Sequence, residues 1–183
     1  MNDKRRRFEQ QVLPQLDAAY CLARWLVRDE HVAEDVVQDA FLRAYEYFDS
    51  FRGGPCRPWL LQIVRNVCNN WFVRQRREHE LVCQDDELSA QQPGLDGSGQ
   101  IETPQTLLAQ SLERQQVNEA IAALAVPLRE VLVLREIEEM SYAEIATVLG
   151  VPQGTVMSRL SRARGELRLR FKAIARETGK HAV

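Results

Sequence analysis

The arginines near the C-terminal end of the chain are the side chains best suited to binding a phosphate or a guanine base. Between Met157 and Lys172 there is one acid, and the basic residues are Arg159, Arg162, Arg164, Arg168, Arg170 and Lys172. Thr155 and Ser158 place two short hydroxyl side chains at the start of this segment. A guanidinium can bind O6 and N7 of guanine through two hydrogen bonds, and basic and hydroxyl side chains commonly bind phosphate oxygens. The segment therefore favours recognition of a nucleic acid.

The residues around this basic segment predict a helix, a tight turn and a second helix. Ser141 and Glu144 have the spacing of a capping box, and Gly150 can take the left-handed conformation that ends a helix. Pro152 suits the start of the next helix. Apolar residues repeat at helical spacing on both sides of the turn: Ile145, Val148, Leu149, Val156, Leu160, Ala163 and Leu167. A helix-turn-helix places the start of its second helix in the major groove, while a structural hairpin with a solvated basic face is the alternative interpretation.

A second set of polar residues lies on a predicted helix in the first half of the chain. Asp35, Gln38 and Asp39 are spaced at i, i+3 and i+4, so they share one face opposite the apolar stripe. Such a face can bind a basic or polar partner surface. It can also be a solvated acidic face, which is common on any helix, and the residues alone leave both interpretations open.

A third set of candidate residues lies in and after the segment 49–57. This segment contains Gly53, Gly54 and Pro55 and is predicted to be a loop. Two asparagines, Asn66 and Asn70, lie inside the next predicted helix, although asparagine has a low helix propensity. The other polar or aromatic candidates of this region are Phe51, Arg52, Trp59, Arg74, Arg76 and Arg77. Aromatic, amide and basic side chains together suit single-stranded DNA with an unstacked base. The residues alone favour the alternative interpretation of Trp59 as a lid over the core beneath the loop.

The distribution of charge supports a nucleic-acid partner although the net charge is only -2. Residues 81–140 hold 3 Lys and Arg against 11 Asp and Glu, and residues 141–183 hold 8 against 3. The middle of the chain is therefore acidic and the end is basic. The charge of the surface that meets the phosphates matters more for binding than the net charge of the whole chain.

Helical spacing of apolar residues throughout the chain predicts an all-α protein. One face is formed by Phe8, Val12, Leu16, Ala19, Ala23 and Leu26. Residues 84–105 are acidic and rich in Pro, Gly and Ser, which is typical of a flexible linker. The sequence thus predicts two small helical domains, residues 1–83 and 106–183, joined by that linker. Within the second domain, 107–125 is expected to be helical and Pro127 to open another helix.

Several classes of protein are excluded by what the sequence lacks. The four cysteines have no C-x-x-C spacing and no histidine completes a zinc site, so we expect buried thiols in a reducing cytosol and no metal or cofactor. The basic residues 1–7 are not followed by an apolar segment, and no apolar run reaches the length of a membrane span. A phosphate-binding loop or a catalytic triad motif is also missing, so we expect no catalytic residues and no enzyme activity.

Two sets of motifs resemble the extracytoplasmic-function (ECF) sigma factors of bacterial RNA polymerase. The segment AEDVVQDAF at 33–41 resembles their polymerase-binding segment, and FRGG at 51–54, Trp59-Leu60 and IVRN at 63–66 resemble their promoter-melting and minus-10 segments. The stretch 128–164, with SYAEIA and GTVMSRLSRAR, resembles their region 4. Both sets occur in the family's order, which makes the resemblance far more specific than either set alone.

The resemblance implies a role for each set of residues. Asp35, Gln38 and Asp39 would bind the clamp helices of core RNA polymerase, and the C-terminal domain would bind its flap. The loop 51–57 with Asn66 would hold a flipped base of the minus-10 element, Trp59 and Asn70 would lie beside the melted DNA, and Arg74, Arg76 and Arg77 would follow its phosphates. The residues implied to meet the minus-35 element are Thr155, Ser158, Arg159, Arg162 and Arg164. An anti-sigma factor is the further expected partner.

Two departures and two competing functions qualify these expectations. Met157 stands where many members of the family carry Lys or Arg. The minus-35 sequence that family members recognise therefore carries over to this chain less directly than their fold does. Gly53, Gly54 and Pro55 can alter the shape of the minus-10 pocket.

A conventional helix-turn-helix regulator would explain the basic C-terminal segment but not Asn66, Asn70 and the arginines after them. A protein-binding helical adaptor would not explain the imbalance of six basic residues to one acid.

Overall fold

The computed structural model describes residues 2–82 and 115–180, and every described element is a helix. The N-terminal unit, residues 2–82, contains α1 (Asn2–Gln11), α2 (Leu16–Val27), α3 (Glu30–Tyr47) and α4 (Cys56–Val82). The C-terminal unit, residues 115–180, contains α5 (115–122), α6 (Val126–Leu132), α7 (Tyr142–Leu149) and α8 (Gln153–Lys180). The predicted linker, residues 84–105, lies outside the described residues.

The first predicted apolar stripe is interrupted by a turn. Pro14 cannot donate the backbone hydrogen bond that a continuing α-helix would need, and Leu13–Gln15 forms a 3₁₀ turn between α1 and α2. The turn changes the direction in which the following residues point. Leu16 is 47% exposed, so its assignment to the buried face was wrong, whereas Phe8 and Val12 are buried as predicted.

The hairpin between α2 and α3 has well-defined ends. Arg28 takes the left-handed conformation (φ 64°) that closes α2, and its amide donates to the Arg24 carbonyl. Asp29 then caps α3, because its side chain accepts a hydrogen bond from the Val32 amide at 3.0 Å. The two helices pack on each other and on α4. Their shared core consists of Leu22, Leu26, Val36, Val37, Ala40, Leu60, Val64, Val67 and Cys68.

The helix that precedes the helix-turn-helix widens before it ends. Pro127 lies in the first turn of α6, as predicted, but after Leu132 the backbone continues as a π-helix over Val133–Ile137. The Glu138 amide donates to the Val133 carbonyl at 3.0 Å, five residues back. Glu139 then takes a φ of 54° and ends the helix. Of the predicted helix 107–125, the structure describes a helix over 115–122, and residues 107–114 lie outside the described part.

The helix-turn-helix has the geometry that its sequence predicts. The Glu144 amide donates to the Ser141 hydroxyl at 3.2 Å, and the Glu144 carboxylate accepts from the Ser141 amide at 2.8 Å. Gly150 ends α7 with a φ of 64°. Val156, Leu160 and Ala163 of α8 are buried against α7 and α6. This packing fixes the direction in which the opposite, basic face of α8 points.

The two units pack against each other within the described part of the chain. Helix α7 contacts α4, and α6 contacts α2, so the buried residues of both units belong to one continuous core. Two ion pairs cross the junction, Arg65 with Glu130 and Arg57 with Glu138. The sequence pattern of two domains and a linker did not predict this contact.

The capping box gives a prediction about stability. Ser141→Ala should lower the free energy of unfolding by about 1 kcal/mol, because the Glu144 amide loses its acceptor. Hydrogen bonds from Ser141 hold the pKa of Glu144 below its usual range. The ionised carboxylate therefore contributes stability at neutral pH, which is lost as the pH falls through the lowered pKa. Urea unfolding followed by circular dichroism measures the change. Ser161→Ala, at an exposed position of α8, is the control, and an equal loss there would contradict the assignment.

Candidate polymerase and promoter interfaces

The acidic face of α3 is accessible, as its spacing predicts. Asp35 and Gln38 are exposed, and Asp39 is partly buried because it pairs with Arg43, whose Nε lies 2.9 Å from Oδ1 of Asp39. The exposed Leu42, 67% accessible, continues the same face by one turn. Leu42 is not among the predicted site residues, although its place one turn after Gln38 and Asp39 was a usable signal. An accessible face with two carboxylates, an amide and one leucine can bind a mixed basic and apolar partner surface.

A cleft of about 290 Å³ joins the acidic face of α3 to the basic end of α4. Its walls include Asp35, Asp39 and Arg43 on α3 and Asn70 and Arg74 on α4. Sequence analysis predicted two separate functions for these helices, polymerase binding and DNA binding. The cleft shows that the two candidate surfaces share an edge, so a ligand held by one surface lies next to the other.

The loop between α3 and α4 is anchored by a cluster of aromatic rings. Phe51 contacts both Phe48 and Trp59, with ring centroids 6.1 Å and 4.8 Å away, respectively. Phe48 is buried and contacts Phe8 of α1 edge to face. Trp59 is half-buried and therefore contributes to the core beneath the loop while keeping part of its ring accessible. The buried part of the Trp59 ring fits the interpretation of this residue as a lid. The accessible part of the ring fits the interpretation as an exposed aromatic contact.

The tip of the loop uses two glycines in conformations that other residues rarely adopt. Gly53 and Gly54 have φ values of 88° and 104°, and nothing lies within 4 Å of the position that a Cβ would take. The glycines are therefore required by the backbone and not by crowding. Arg52 and Pro55 are exposed beside them. The loop presents a turn of fixed shape on a rigid aromatic base.

The remaining candidates of α4 are all accessible, and Asn66, Asn70, Arg74 and Arg77 share one side of the helix. Asn66 and Asn70 are exposed, as are Arg74, Arg76 and Arg77. Their exposure explains why asparagine is tolerated inside this helix, since neither amide has to be satisfied in the core. An accessible line of amides that leads into three arginines can follow the backbone of a nucleic-acid strand.

The basic face of α8 is accessible at most of the predicted positions. Ser158 and Arg162 are exposed, and Thr155 and Arg159 are half-exposed. The Ser158 hydroxyl donates to the Thr155 carbonyl at 3.0 Å, which orients it along the helix. Arg164 differs from the others because its Nη2 lies 2.6 Å from the Glu136 carboxylate. Arg164 is thus engaged within the C-terminal unit, which the sequence pattern did not indicate.

The pairing of Arg57 and Arg65 with two acids of the C-terminal unit was not predicted from the sequence. The Arg65 guanidinium donates from Nε and Nη2 to the two Glu130 carboxylate oxygens at 2.8 and 3.4 Å. Arg57 forms a short ion pair with Glu138. Their partners lie 65 and 81 residues away in sequence, so no local pattern could have revealed the pairs.

The described cysteines are poor nucleophiles and do not form a metal site. Burial raises the pKa of the Cys68 thiol to about 12, and burial and a hydrogen bond to Glu138 raise the pKa of the Cys21 thiol to about 12. Cys56 is partly buried, and Cys83 lies outside the described residues. Among the residues that the structure describes, no cluster of three or more His, Cys, Asp or Glu could hold a metal ion. The helices of this same part include none long and apolar enough to cross a membrane.

Comparison with known protein families identifies the class of protein. Residues 12–78 match the family model for sigma-70 region 2, and residues 114–167 match the model for sigma-70 region 4. The chain therefore belongs to the sigma-70 family of RNA polymerase sigma factors, and it is of the ECF type. Members of this family are non-catalytic initiation factors that bind core RNA polymerase and promoter DNA, so the chain is a promoter-specifying initiation factor and not an enzyme.

Individual relatives agree with this assignment. The chain is 34% identical over 155 residues to the RNA polymerase sigma-H factor of Pseudomonas aeruginosa, covering 82% of this chain and 79% of that protein. It is 37% identical over 134 residues to the ECF RNA polymerase sigma-E factor of Escherichia coli, covering 71% and 69%, respectively.

Solved structures give the same fold. The sigma factor RpoE, in a co-crystal structure with the anti-sigma factor NepR from Bartonella quintana, superposes with a TM-score of 0.72, 29% identity and coverage of 90% of this chain and 96% of that one. CnrH in complex with the cytosolic domain of CnrY gives a TM-score of 0.64, 29% identity and coverage of 92% and 90%.

The exposed arginine of α8 gives a prediction about promoter choice. Arg162→Ala should weaken transcription from promoters that depend on their minus-35 element by about 5- to 150-fold, since one base-reading arginine contributes about 1–3 kcal/mol. Run-off transcription from a promoter library measures the effect. Arg168→Ala, an exposed arginine farther along the same helix, is the matched control. If Arg162→Ala leaves promoter selection unchanged, Arg162 is not part of the interface.

Proposed function

We propose that the accessible surfaces of the two units divide promoter recognition between them. In this proposal residues 1–83 bind core polymerase and the minus-10 element, residues 106–183 bind the minus-35 element, and residues 84–105 connect them. The observation that carries the proposal is the match of the chain to region 2 and region 4, in that order, with accessible candidate residues in each. The protein would act in the cytoplasm, where RNA polymerase works.

The polymerase-binding part of the proposal rests on α3. Asp35, Gln38 and Asp39 form its accessible face and would contact the clamp helices of the largest polymerase subunit. Leu42 extends the face with an apolar side chain, which adds buried area to a contact otherwise made by charge. The C-terminal unit would contact the flap of the other large subunit.

The minus-10 part of the proposal rests on the loop and the accessible side of α4. Phe51, Arg52 and Trp59 line a cleft where an extruded base would stack, and Asn66 is exposed farther along α4. Extrusion of a base costs a few kcal/mol, which stacking and amide contacts can recover. Asn70, Arg74, Arg76 and Arg77 would then hold the melted strand along the helix.

The minus-35 part of the proposal rests on the start of α8. Ser158, Arg159 and Arg162 would enter the major groove, with Thr155 at its edge. Arg164 binds Glu136 in the free chain. It would have to release Glu136 before it could bind a phosphate. Met157 is 55% exposed on this face, where its thioether can pack against a thymine methyl but cannot donate a hydrogen bond.

An anti-sigma factor is the further partner that we propose. Two structurally similar proteins were solved in complexes, the sigma factor RpoE with the anti-sigma factor NepR and CnrH with the cytosolic domain of CnrY. The accessible face of α3 and the basic face of α8 are surfaces that such a protein could cover. Affinity purification of this chain from its native host, with mass spectrometry, tests the proposal, and recovery of polymerase subunits alone would count against it.

Run-off transcription tests the proposed function as a whole. Bacterial core polymerase is combined with a promoter library, with and without this protein. Transcripts that require the protein, from templates sharing two short elements, would support the proposal. Sequence-specific duplex binding by the free protein, without any such transcripts, would favour a conventional helix-turn-helix regulator. Failure to bind DNA at low salt under any condition would favour a protein-binding adaptor.

The α3 face gives a prediction about polymerase binding. Asp39→Arg should weaken binding to core polymerase about tenfold or more, because it reverses a charge in the interface and leaves Arg43 beside a second cation. Competition binding against a labelled sigma factor measures the change. Asp17→Arg makes the same change of charge on an exposed position of α2 and should have little effect. Wild-type affinity for Asp39→Arg would indicate that the face is merely solvated.

Asn66 gives a prediction about promoter opening. Asn66→Ala should reduce open-complex formation about tenfold or more while core binding changes little, because the loss of a hydrogen bond to an unstacked base acts only after the DNA opens. Permanganate reactivity of unpaired thymines reports opening, and the competition assay reports core binding. Asn69→Ala is the matched amide control on the same helix. Equal losses in both assays would make Asn66 a folding residue.

A further inference from the structure

Three arginines, which we call the arginine cluster, lie where α2 contacts α6. Arg24 belongs to the last turn of α2, Arg28 caps that helix, and Arg129 belongs to α6. Arg24 and Arg129 are only 7% and 4% exposed, and Arg28 is half-buried. Burial of a charge is costly unless an opposite charge or hydrogen bonds compensate for it. The cluster therefore requires a physical explanation.

Two observations place the members of the arginine cluster near one another. Burial lowers the pKa of the Arg129 guanidinium, and the positive charge of Arg28 lowers this pKa further. Arg24 precedes Arg28 by one helical turn and follows Cys21 by three residues, and Cys21 donates a hydrogen bond to Glu138. Arg24 therefore lies on the face of α2 that meets the C-terminal unit.

The hydrogen-bonding capacity of Arg129 is only partly used. Its Nη1 donates to the Ala122 carbonyl at the end of α5, at 2.8 Å. This bond places a cation at the negative end of the α5 dipole. A guanidinium has further N–H groups, and Nε of Arg129 is buried without a hydrogen-bond partner in the described part of the chain. A buried donor of this kind usually has an ordered water or an ion as its acceptor.

The acids of the described residues do not balance the arginine cluster. None of the ion pairs in residues 2–82 and 115–180 joins Arg24, Arg28 or Arg129 to a carboxylate. Glu130, which follows Arg129 in sequence, is bound by Arg65. The three cations repel one another, so an anion that binds among them would relieve that repulsion.

The chemistry of the arginine cluster favours a phosphate group as this anion. A guanidinium and a phosphate match in shape, because parallel N–H groups can donate to neighbouring oxygens. A phosphate has enough oxygens and enough negative charge to bind several arginines together. A single carboxylate has less of both and would leave part of the cluster unbalanced.

The burial of the arginine cluster limits the size of the ligand. Arg24 and Arg129 are almost fully covered, so a nucleic-acid strand that runs along the surface does not reach them. A phosphate ion, or a phosphate at the end of a small molecule, can enter past the half-buried Arg28. Arg162 of α8 is exposed and is suited to a continuous DNA backbone.

We propose that Arg24, Arg28 and Arg129 form a binding site for a small phosphate-bearing anion, either inorganic phosphate or the terminal phosphate of a nucleotide. The site is separate from the surfaces proposed to bind core polymerase and promoter DNA, because none of its three arginines belongs to them. The bound anion contacts both α2 and α6. It replaces the repulsion among the three cations by attraction.

Titration of the full chain with phosphate tests the site directly. Isothermal titration calorimetry with inorganic phosphate, in HEPES and chloride at constant ionic strength, should show one site per chain. At about ten times the dissociation constant, phosphate should raise the thermal unfolding temperature by about 4 °C. Tighter binding of adenosine triphosphate than of phosphate would assign the site to a nucleotide, and equal or weaker binding would assign it to free phosphate.

The double variant Arg24→Gln, Arg28→Gln tests the assignment to these residues. It should weaken phosphate binding at least tenfold and abolish the thermal shift. Without phosphate it should unfold at or above the wild-type temperature, because the repulsion on Arg129 is removed. Arg6→Gln, at an exposed arginine of α1, is the matched control and should keep the wild-type affinity and thermal shift.

Arg24→Glu supplies a negative charge to the site from within the chain. The new carboxylate should raise the unfolding temperature in phosphate-free buffer and weaken phosphate binding at least tenfold. A gain in stability from a buried charge reversal is not expected for an arginine with a purely structural role. This variant also decides the question if the double variant does not fold.

Several outcomes would overturn the anion site. One is a folded wild type that binds neither phosphate nor the triphosphate, and another is equal binding by the wild type and the Arg24 and Arg28 variants. An equal loss of stability of these variants with and without phosphate would make the arginines structural and would also overturn the site. The measurements use neither DNA nor polymerase, so their failure leaves the proposed function in place.

Discussion

The burial of two carboxylates at the junction determines how the helical units of this sigma factor are arranged. Glu130 and Glu138 lie on or just after α6, and each is almost fully enclosed. A buried carboxylate without a cation would destabilise the protein by several kcal/mol, so the position of the C-terminal unit is tied to Arg65 and Arg57. Such pairs contribute little net stability compared with apolar packing. The strength of the junction therefore comes from the surrounding apolar contacts.

Aromatic packing gives the loop between α3 and α4 its fixed shape. Phe8, Phe48, Phe51 and Trp59 form a chain of contacts from α1 to the start of α4. Because Phe8 belongs to α1, the N-terminal helix supports a loop that begins some forty residues later in the sequence. Gly53 and Gly54 form the tip on this base. Packing of this kind reduces the ordering that remains to be done when a loop binds a partner.

Local patterns in the sequence predicted the helices and most of the exposed candidates. The capping box at Ser141, the left-handed Gly150 and the accessible face of Asp35 and Gln38 depend on residues a few positions apart, which periodicity reveals. The break at Pro14 was missed because the apolar spacing continues across it. The pairing of Arg65 with Glu130 joins residues far apart in the chain, and no periodicity carries that information. The engagement of Arg164 by Glu136 was missed for the same reason.

The π-helical turn at Val133–Ile137 has a consequence for how this chain can vary. A π-turn contains one more residue than an α-turn of the same height, and the Glu138 amide bonds to Val133 across it. If the same residues were wound as an ordinary α-helix, everything beyond the turn would be rotated by about 100° relative to α6. Glu130 would keep its place while Glu138 and the helix-turn-helix turned away. The extra residue of this turn therefore sets the direction in which the helix-turn-helix leaves α6.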